Sequence, residues 1–296
     1  MGNGLKICEG RTAIVTGAGG GLGRAHAIAL AAAGASVVVN DIRREAAEEV
    51  AAGIRDSGGR AIANSDDIAT MAGAQTIVDS AACEFGDLQV LVNNAGNLRD
   101  RMFVNMSEEE WDQVMHVHLK GHFCLSNVLA RRCRDQVKAG RRVDARIINT
   151  TSGAGLQGSL SQANYSAAKA GIAALTLVQA VELKRYGITA NAFAPAARTS
   201  MTEAAMPDMV KAPQDGGFDW WDPANVASLV VYLASPNSRH VTGQVFDIGG
   251  GRITLCDGWR NGPTRDKGAR WRPDELGAAI DELIAEAVPP QKVWGS

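Results

Sequence analysis

The sequence predicts an α/β fold because short apolar segments alternate with longer helical patterns along most of its length. The helical patterns cover residues 23–33, 43–56, 69–85, 108–138, 163–186 and 222–234. The strand-like segments are residues 12–16, 36–40, 60–64, 88–92, 145–151, 188–193 and 244–248. Such alternation favours a Rossmann-like, doubly wound parallel sheet of about seven strands with helices on both faces.

The alternation indicates one domain followed by a short extension. Residues 1–251 form the predicted domain, and residues 252–296 form a C-terminal extension. Residues 196–221 interrupt the alternation with prolines and a Gly-Gly pair just after a strand, which is typical of a mobile substrate lid. In the extension, Pro273 and the two acids after it predict the start of one helix.

Composition and charge argue against several classes of protein. With 46% hydrophobic residues and a net charge of −2, the chain can form a large core and shows no bias toward nucleic acid or an anionic membrane. The longest apolar stretch is interrupted by Gly34, so no membrane span is expected. The 5 cysteines lack a paired spacing and no signal peptide opens the chain, which predicts reduced thiols and a cytoplasmic location.

Three nearby histidines, His116, His118 and His122, raise the question of a metal site. On a helix, His118 and His122 share a face, whereas His116 points away from it. No carboxylate or cysteine completes an obvious ligand set, so no metal is predicted.

A glycine-rich turn near the start of the chain predicts a dinucleotide site. The run TGAGGGLG, residues 16–23, follows a strand and precedes an alanine-rich helix, which is the context that such a fingerprint requires. Gly17, Gly21 and Gly23 let the backbone approach a pyrophosphate at the helix amino terminus. Asp41 closes the next strand, where a carboxylate can bind the ribose hydroxyls of NAD and repel the extra phosphate of NADP.

Tyr165 and Lys169 are candidates for acid–base chemistry because a spacing of four residues places them side by side on a helix. A neighbouring ammonium stabilises phenolate, so the pKa of the tyrosine is expected to fall toward neutrality. Ser152 follows the strand-like segment 145–151, and a hydroxyl at that end of a parallel strand points into the ligand crevice. By itself, a tyrosine four residues before a lysine is more often an ordinary solvated helix face.

Taken together, these motifs resemble those of the short-chain dehydrogenase/reductases over about residues 5–255. A closer resemblance is to the (3R)-hydroxyacyl-CoA dehydrogenase unit of peroxisomal multifunctional enzyme type 2, whose group includes 17β-hydroxysteroid dehydrogenases and bacterial stand-alone relatives. It rests on residues 93–101, 117–121 and 161–169, and on the pairs Ala194-Pro195, Met201-Thr202 and Met206-Pro207.

The resemblance implies an NAD-dependent oxidoreductase that interconverts a secondary alcohol and a ketone on an apolar or CoA-linked small molecule, such as a 3-hydroxyacyl-CoA or a hydroxysteroid. Tyr165 would exchange the proton, Ser152 would orient the reacting oxygen, and Lys169 would hold the cofactor ribose. Besides Tyr165 and Lys169, the implied cofactor-binding residues are Gly17, Gly21, Leu22, Gly23, Asp41, Asp67, Ile68, Asn94, Ala95, Gly96, Pro195 and Thr199. The resemblance also implies a homotetramer in which helices 108–138 and 163–186 pair between subunits.

Two positions leave alternatives open. His118 stands where many family members carry an asparagine that holds a proton-relaying water, so it is either a substitute relay that titrates near neutral pH or a structural histidine. The neighbouring Asp66 leaves it open whether Asp67 and Ile68 are the pair that contacts adenine.

Two other functions are alternatives to the dehydrogenase. An NADP-dependent 3-oxoacyl carrier-protein reductase would share the fold, but Asp41 and the absence of a basic residue at Gly20 argue against it. A catalytically silent dinucleotide-binding protein would also share the fold, but the intact Ser152, Tyr165 and Lys169 argue against that.

Overall fold

The computed structural model describes residues 6–205, 207–214 and 216–296, which form one eight-stranded sheet flanked by helices. Residues 1–5 of the predicted domain, and Met206 and Asp215 of the predicted lid, lie outside the described residues. The strands are β1 (Thr12–Thr16), β2 (Ser36–Asn40), β3 (Arg60–Asn64), β4 (Val90–Asn93), β5 (Ala145–Thr150), β6 (Ile188–Ala196), β7 (Val245–Gly249) and β8 (Arg252–Leu255).

The strand order confirms the predicted doubly wound topology. It runs β3-β2-β1-β4-β5-β6-β7-β8, and every neighbouring pair is parallel except β7 and β8. The chain reverses direction across the sheet between β1 and β4. In such sheets, ligands bind in the crevice that this reversal opens at the carboxyl ends of the strands.

Helices cover both faces of the sheet. They are α1 (Gly21–Ala32), α2 (Arg44–Asp56), α3 (Met71–Phe85), α4 (Glu108–Met115), α5 (Gly121–Lys138), α6 (Gly153–Gln157), α7 (Ala163–Glu182), α8 (Ser200–Ala205), α9 (Pro223–Ala234) and α10 (Pro273–Glu286). One hydrophobic cluster joins α1, α2 and α9 to one face, and a second joins α3 and α5 to the other. Strand β1 separates them, since Ala13 and Val15 belong to the first cluster and Ile14 to the second.

Strand β8 extends the sheet beyond the seven strands that the sequence predicts. It pairs antiparallel with β7, and Gly249 lies opposite Arg252 across the turn between them. All four residues of β8 are exposed, so the segment lacks the buried pattern by which a strand is recognised in a sequence. The predicted extension, residues 252–296, therefore begins with a strand of the main sheet.

The single helix predicted at residues 108–138 is divided in the structure. Helix α4 begins with a capping box, in which Ser107 Oγ accepts from the N–H of Glu110 and the Glu110 carboxylate accepts from the N–H of Ser107. A π-turn, His116–Lys120, then separates α4 from α5. Such turns insert one residue into a helix and are frequent at functional sites.

The segment predicted as a lid, residues 196–221, is tied together at its base by Arg198. The Nε of Arg198 donates to the carbonyl of Val210 over 2.7 Å, and its guanidinium pairs with Asp219. The backbone N–H of Arg198 donates to the carbonyl of Trp221 over 2.6 Å. The two ends of the segment therefore lie side by side, and its movement over a substrate stays a prediction.

The C-terminal extension returns to the body of the protein. Helix α10 begins at Pro273, and the N–H of Arg272 donates to Glu275 Oε2 over 2.9 Å at its start. Beyond α10, the backbone of Trp294 pairs with the loop that precedes α7, where the N–H of Leu160 donates to the Trp294 carbonyl over 2.9 Å. The last residues of the chain are therefore held against its domain.

None of the helices in the described ranges is long and apolar enough to cross a membrane. The 5 cysteines are free thiols, and those of Cys8, Cys124 and Cys133 are buried. Burial raises the pKa of the Cys8 thiol to about 11 and that of Cys133 to about 12, so both stay protonated at neutral pH.

A charged cluster around Asp144 holds the amino-terminal edge of the sheet. Arg146 has only 1% of its side chain exposed, and its Nη1 donates to Asp144 Oδ1 over 2.8 Å. Arg11 and Arg239 reach the same carboxylate over 2.9 and 3.2 Å. Partial burial favours protonation, but the three guanidinium groups outweigh it and lower the pKa of Asp144 to about 2.

Asp144→Asn is expected to destabilise the fold by about 2–3 kcal/mol. The variant leaves the buried guanidinium groups of Arg11 and Arg146 without a counter-charge, and breaking a fully buried pair costs about 3–5 kcal/mol. The expected loss of stability is smaller than that of a fully buried pair because 29% of the Asp144 side chain is exposed. Urea denaturation at neutral pH measures the change.

Asp135→Asn is the matched control, because Asp135 pairs with Arg134 on the surface. It should leave the unfolding midpoint almost unchanged. Equal midpoints for Asp144→Asn and Asp135→Asn would show that the cluster contributes no more than a surface ion pair.

Candidate active site

Ser152, Tyr165 and Lys169 meet at the carboxyl end of β5. Ser152 follows this strand and caps α6, where its Oγ accepts from the N–H of Ala154 over 3.2 Å. The Ser152 hydroxyl is close enough to the Tyr165 phenol to favour its ionised form. The Lys169 Nζ lies 5.5 Å from the centre of the Tyr165 ring. Three residues that the sequence predicts to act together are thus neighbours in the structure.

Lys169 is buried, with 2% of its surface exposed. Its Nζ donates to the carbonyl of Thr150, at the end of β5, over 2.6 Å. Burial lowers the pKa of Lys169 to about 7, so the ammonium and the neutral amine are both populated near neutral pH. A buried lysine that is poised in this way is typical of functional sites.

The acidity of Tyr165 differs from the sequence-based expectation. Burial raises the pKa of the Tyr165 phenol above its usual value, and the nearby Ser152 hydroxyl only partly offsets this. The predicted lowering by Lys169 is absent because an amine with a pKa of about 7 is uncharged at the higher pH where the phenol ionises. Without a bound cofactor or substrate, the Tyr165 phenol is therefore protonated at neutral pH and can donate its proton.

His118 is held beside Tyr165 by the π-turn. The two rings make an edge contact, with centres 5.2 Å apart and planes at 87°. The His118 Nε2 lies 3.0 Å from the backbone N and 2.8 Å from the backbone O of Asn97. A Cβ at Gly96 would lie 3.0 Å from His118 Nδ1, so only glycine leaves room for this imidazole.

The protonation of His118 contradicts the expectation that it titrates near neutral pH. Burial and the nearby Lys169 lower the pKa of His118 to about 3. The imidazole is therefore neutral throughout the working range of pH. Its Nδ1 is buried and has no hydrogen-bond partner among the described residues.

The glycine-rich turn forms a cradle in which side chains would not fit. Gly17 has a φ of +61°, and a Cβ there would lie 2.7 Å from the Cα of Ala95. A Cβ at Gly23 would lie 2.7 Å from Nδ2 of Asn94. Thr16 Oγ1 accepts from the N–H groups of Asn94 and Ala95 over 2.9 and 3.1 Å, which joins the turn to the end of β4.

The entrance of α1 faces the start of the predicted lid. Gly21, with a φ of +50°, is the first residue of α1, and a Cβ there would lie 3.5 Å from the methyl group of Thr199. The N-cap residue Gly20 supplies no side-chain acceptor, so the amino terminus of α1 can bind an anion. Leu22 packs against the core, and Pro195 pairs with Ile248 in the sheet.

Asp41 lies at the end of β2, directly against the glycine-rich turn. Its Oδ2 accepts from the N–H of Gly19 over 3.0 Å, and its Oδ1 accepts from the N–H of Arg43 over 3.0 Å. The Arg43 guanidinium also reaches this carboxylate over 3.2 Å while 66% of its own side chain stays exposed. The acid predicted to select the cofactor therefore lies beside the glycine-rich turn, and its contact with a ribose stays a prediction.

The two neighbouring acids after β3 differ in their surroundings. Asp66 Oδ2 accepts from Asn64 Nδ2 over 2.8 Å, and its carbonyl accepts from Asn40, so Asp66 joins β2 to β3. Asp67 is exposed and caps the N–H of Ala69 over 2.8 Å. Ile68 is buried against α5. Contact of Asp67 and Ile68 with adenine stays a prediction.

Asn164 is a site residue that sequence reasoning missed. It is fully buried, and its Nδ2 donates to the carbonyls of Arg99 and Glu110, both over 3.1 Å. Its Oδ1 accepts from the N–H of Tyr165 over 2.7 Å. Asn164 thus fixes the start of α7, and the only signal in the sequence is an asparagine directly before the tyrosine.

The assembled residues fit a nicotinamide dinucleotide. The cradle around Gly17 and Gly23 and the free amino terminus of α1 suit a pyrophosphate, and Asp41 suits a ribose. By contrast, the described residues contain no group of three or more histidine, cysteine and acidic side chains that could hold a metal ion.

Comparison with known proteins agrees with this site. A family model described as short chain dehydrogenase matches residues 11–210. The chain is 44% identical to hydroxyacyl-CoA dehydrogenase ChsB1 of Mycobacterium tuberculosis over 96% of this chain and 91% of that protein. A crystal structure of a short chain dehydrogenase from Mycobacterium avium superposes with a TM-score of 0.90, at 50% identity and over 98% of this chain and 100% of that one.

Two further relatives differ in length and in name. The chain is 40% identical to peroxisomal multifunctional enzyme type 2 of Mus musculus, over 83% of this chain but only 32% of that protein. It is 39% identical to a 3-oxoacyl-[acyl-carrier-protein] reductase of Synechocystis, over 84% of this chain and 99% of that protein.

The protein belongs to the short-chain dehydrogenase family, as the sequence motifs indicate. It is therefore an oxidoreductase that acts on a CH–OH group and uses a nicotinamide dinucleotide. The roles of the glycine-rich turn and of Ser152, Tyr165 and Lys169 in this chemistry stay predictions.

Tyr165→Phe is expected to lower kcat by at least about a hundredfold, because it removes the proton donor while keeping the ring. Affinity for the nicotinamide dinucleotide should change little, since the ring still packs against His118 and Lys169. Steady-state turnover and fluorescence titration with the reduced cofactor measure the two effects.

Tyr186→Phe is the control for loss of a phenol, because Tyr186 lies just before β6 at the opposite edge of the sheet. It should keep native turnover. If Tyr165→Phe also keeps native turnover, another group supplies the proton.

Proposed function

We propose that the protein is an NAD-dependent dehydrogenase that interconverts a secondary alcohol and a ketone on a 3-hydroxyacyl-CoA or a hydroxysteroid. The observation that carries this proposal is the meeting of Ser152, Tyr165 and Lys169 beside a glycine-rich turn that Asp41 closes. The name of the Mycobacterium tuberculosis relative, a hydroxyacyl-CoA dehydrogenase, supports the acyl-CoA substrate.

In the proposed reaction, Ser152 and Tyr165 hold the substrate oxygen between their two hydroxyls. A bound nicotinamide dinucleotide would supply the hydride chemistry, as acceptor for the alcohol and as donor for the ketone. Tyr165 gives its proton to the oxygen during reduction and removes it during oxidation. The buried Lys169 stays bonded to the carbonyl of Thr150, which fixes the ammonium near the phenol and the ribose.

The preference for NAD is supported by the position of Asp41. Its carboxylate lies 3.0 Å from the N–H of Gly19, so a phosphate on the adjoining ribose would meet a negative charge. One observation favours the alternative NADP-dependent reductase: Arg43 Nη2 would lie 3.7 Å from a Cβ at Gly20 and could face such a phosphate. The Arg43 guanidinium is already paired with Asp41, and this pairing weakens Arg43 as a phosphate ligand.

Asp41→Ala should reduce the preference for NAD over NADP by at least about tenfold in kcat/KM, which corresponds to about 1.4 kcal/mol. The substitution removes a ribose acceptor and a repulsive charge, and it also frees Arg43. Initial rates with both cofactors measure the ratio. Asp56→Ala, at the exposed end of α2, is the control and should keep the native ratio. A native enzyme that prefers NADP would contradict the assignment.

The substrate class is tested by turnover. Purified protein is offered 3-hydroxyacyl-CoA thioesters and hydroxysteroids with NAD, and 3-oxoacyl carrier protein with NADPH, while absorbance of the reduced cofactor is followed. Reduction of NAD with the first two classes supports the proposal. Turnover confined to the carrier-protein substrate with NADPH would establish the alternative reductase instead.

We further propose that His118 and a water on its Nδ1 connect Lys169 to solvent. The unpartnered, buried Nδ1 next to a poised lysine supports this role. The imidazole would act as a neutral hydrogen-bonding group, because its pKa is about 3. The alternative is that His118 has only a structural role, in which its Nε2 bonds to the backbone of Asn97.

His118→Leu should lower kcat by about tenfold or more at every pH, because it removes the polar group and its water, while NAD affinity changes little. The shape of the pH–rate profile should not change, since a histidine with a pKa of about 3 does not titrate in the assay range. His118→Asn, which can still hold a water, should recover most of the activity. If His118→Leu turns over at the native rate across this range, the structural reading is correct.

The predicted homotetramer stays a proposal, with support from the outer faces of α5 and α7. Phe123, Leu177 and Val181 are exposed to 48, 49 and 80% on these helices. A groove of about 910 Å³ next to them is lined by residues of α4, the π-turn, α5 and α7 and by neither Tyr165 nor Lys169. It is an apolar surface that pairing between subunits would cover.

A cytoplasmic location is likewise a prediction.

A further inference from the structure

The end of the chain forms part of the wall beside Ser152. The backbone of Trp294 joins the loop after α6, because its N–H donates to the carbonyl of Gly158 over 3.2 Å and its carbonyl accepts from the N–H of Leu160 over 2.9 Å. Ser159 and Trp294 form a parallel bridge between these two bonds. The extension therefore closes on the segment that leads from Ser152 to Tyr165.

The indole of Trp294 fits against Gly153. This glycine directly follows Ser152 and opens α6, and a Cβ there would lie 2.6 Å from Cζ2 of the indole. Val293 lies against Gly158 in the same way, with a separation of 3.5 Å to a Cβ placed there. These small residues give the terminal segment a fitted seat, whereas 51% of the Trp294 surface remains exposed.

Further apolar side chains stand beside this seat. Met102 and Leu160 are exposed to 52 and 47%. Ser161 links them, because it follows Leu160, its Oγ donates to Sδ of Met102 over 3.1 Å, and its carbonyl accepts from the N–H of Arg101 over 2.7 Å. An exposed apolar patch next to a reactive hydroxyl is typical of a surface that binds an apolar ligand.

We propose that Trp294 is a specificity-determining residue that contacts the apolar group attached to the reacting carbon. This inference rests on the proposed function. The substrate oxygen must lie within hydrogen-bonding distance of Ser152, so one substituent of the reacting carbon leaves the site past Gly153 and meets the indole. A long acyl chain or a ring system suits the flat apolar surface that an indole presents.

The experiment compares Trp294→Ala with Trp259→Ala on a series of 3-hydroxyacyl-CoA thioesters of increasing chain length. Trp259 is the matched control because it lies in the same extension and is fully exposed. It follows β8, which runs antiparallel to β7 and so leads away from the end of the sheet where Ser152 lies. Each buried methylene is worth roughly fourfold in affinity. Trp294→Ala should therefore lose at least about tenfold in kcat/KM on long chains, mainly through KM, and little on short ones.

A uniform loss along the series would mean that Trp294 only supports the loop, and it would overturn the proposal, as would native behaviour. Gly153→Ala provides an independent check, because its methyl group must displace the indole. Its effect on KM for long chains should be large in the native protein and much smaller in the Trp294→Ala background, a non-additivity that is typical of residues in contact. Additive effects would contradict the contact.

A second readout does not depend on the substrate. Energy transfer from tryptophan to bound reduced cofactor should fall in Trp294→Ala and not in Trp259→Ala, because Trp294 lies beside Ser152. A protein that oxidises no acyl-CoA or steroid alcohol contradicts the proposed function, and equal transfer in the two variants contradicts the placement of Trp294. The two failures are therefore distinguishable.

Discussion

The burial of the Lys169 ammonium is the constraint on which the site depends. A cation in a protein interior is unstable unless its N–H groups find acceptors, and the carbonyl of Thr150 supplies one. Helix α7 must therefore lie close to the end of β5. The contact is tight, since a Cβ at Gly155 would lie 2.6 Å from the backbone carbon of Lys169, and Thr151 Oγ1 donates to the Lys169 carbonyl over 2.7 Å. With α6 and α7 held this close, the hydroxyls of Ser152 and Tyr165 meet.

Below the site, buried amide side chains replace apolar packing and fix the register of the central strands. Asn93 Nδ2, at the end of β4, donates to Asn149 Oδ1 on β5 over 2.9 Å. Asn149 Nδ2 in turn donates to Thr176 Oγ1 and to Gln179 Oε1 on α7, both over 2.9 Å. Each bond would be lost if a strand or helix slid by one residue, and an unpaired buried amide is costly. The network therefore locates α7 on the sheet, and with it Tyr165.

The sequence was sufficient for several features that depend on near neighbours. Strand β1, the turn after it and the pairing of Tyr165 with Lys169 follow from local periodicity and spacing, and the structure has all three. Features that depend on distant partners were missed or misjudged. The exposed β8 is a strand only because β7 lies beside it, and the raised pKa of Tyr165 follows mainly from its burial in the folded protein. The contact of Trp294 with Gly153 likewise joins residues far apart in sequence.

The π-turn at His116–Lys120 has a consequence for how the rest of α5 is oriented. An α-helix advances about 100° per residue, so a residue added in α geometry would rotate everything after it by that angle, whereas the wider π-turn absorbs the extra residue. His118 can thereby face Asn97 while Cys124 and Leu125 still point into the core. Loss of a single residue here would restore a regular helix and leave those core side chains in place, but it would remove the wide turn that directs His118 toward Asn97. The extra residue thus serves the site and not the core, although it lies in the middle of a helical segment.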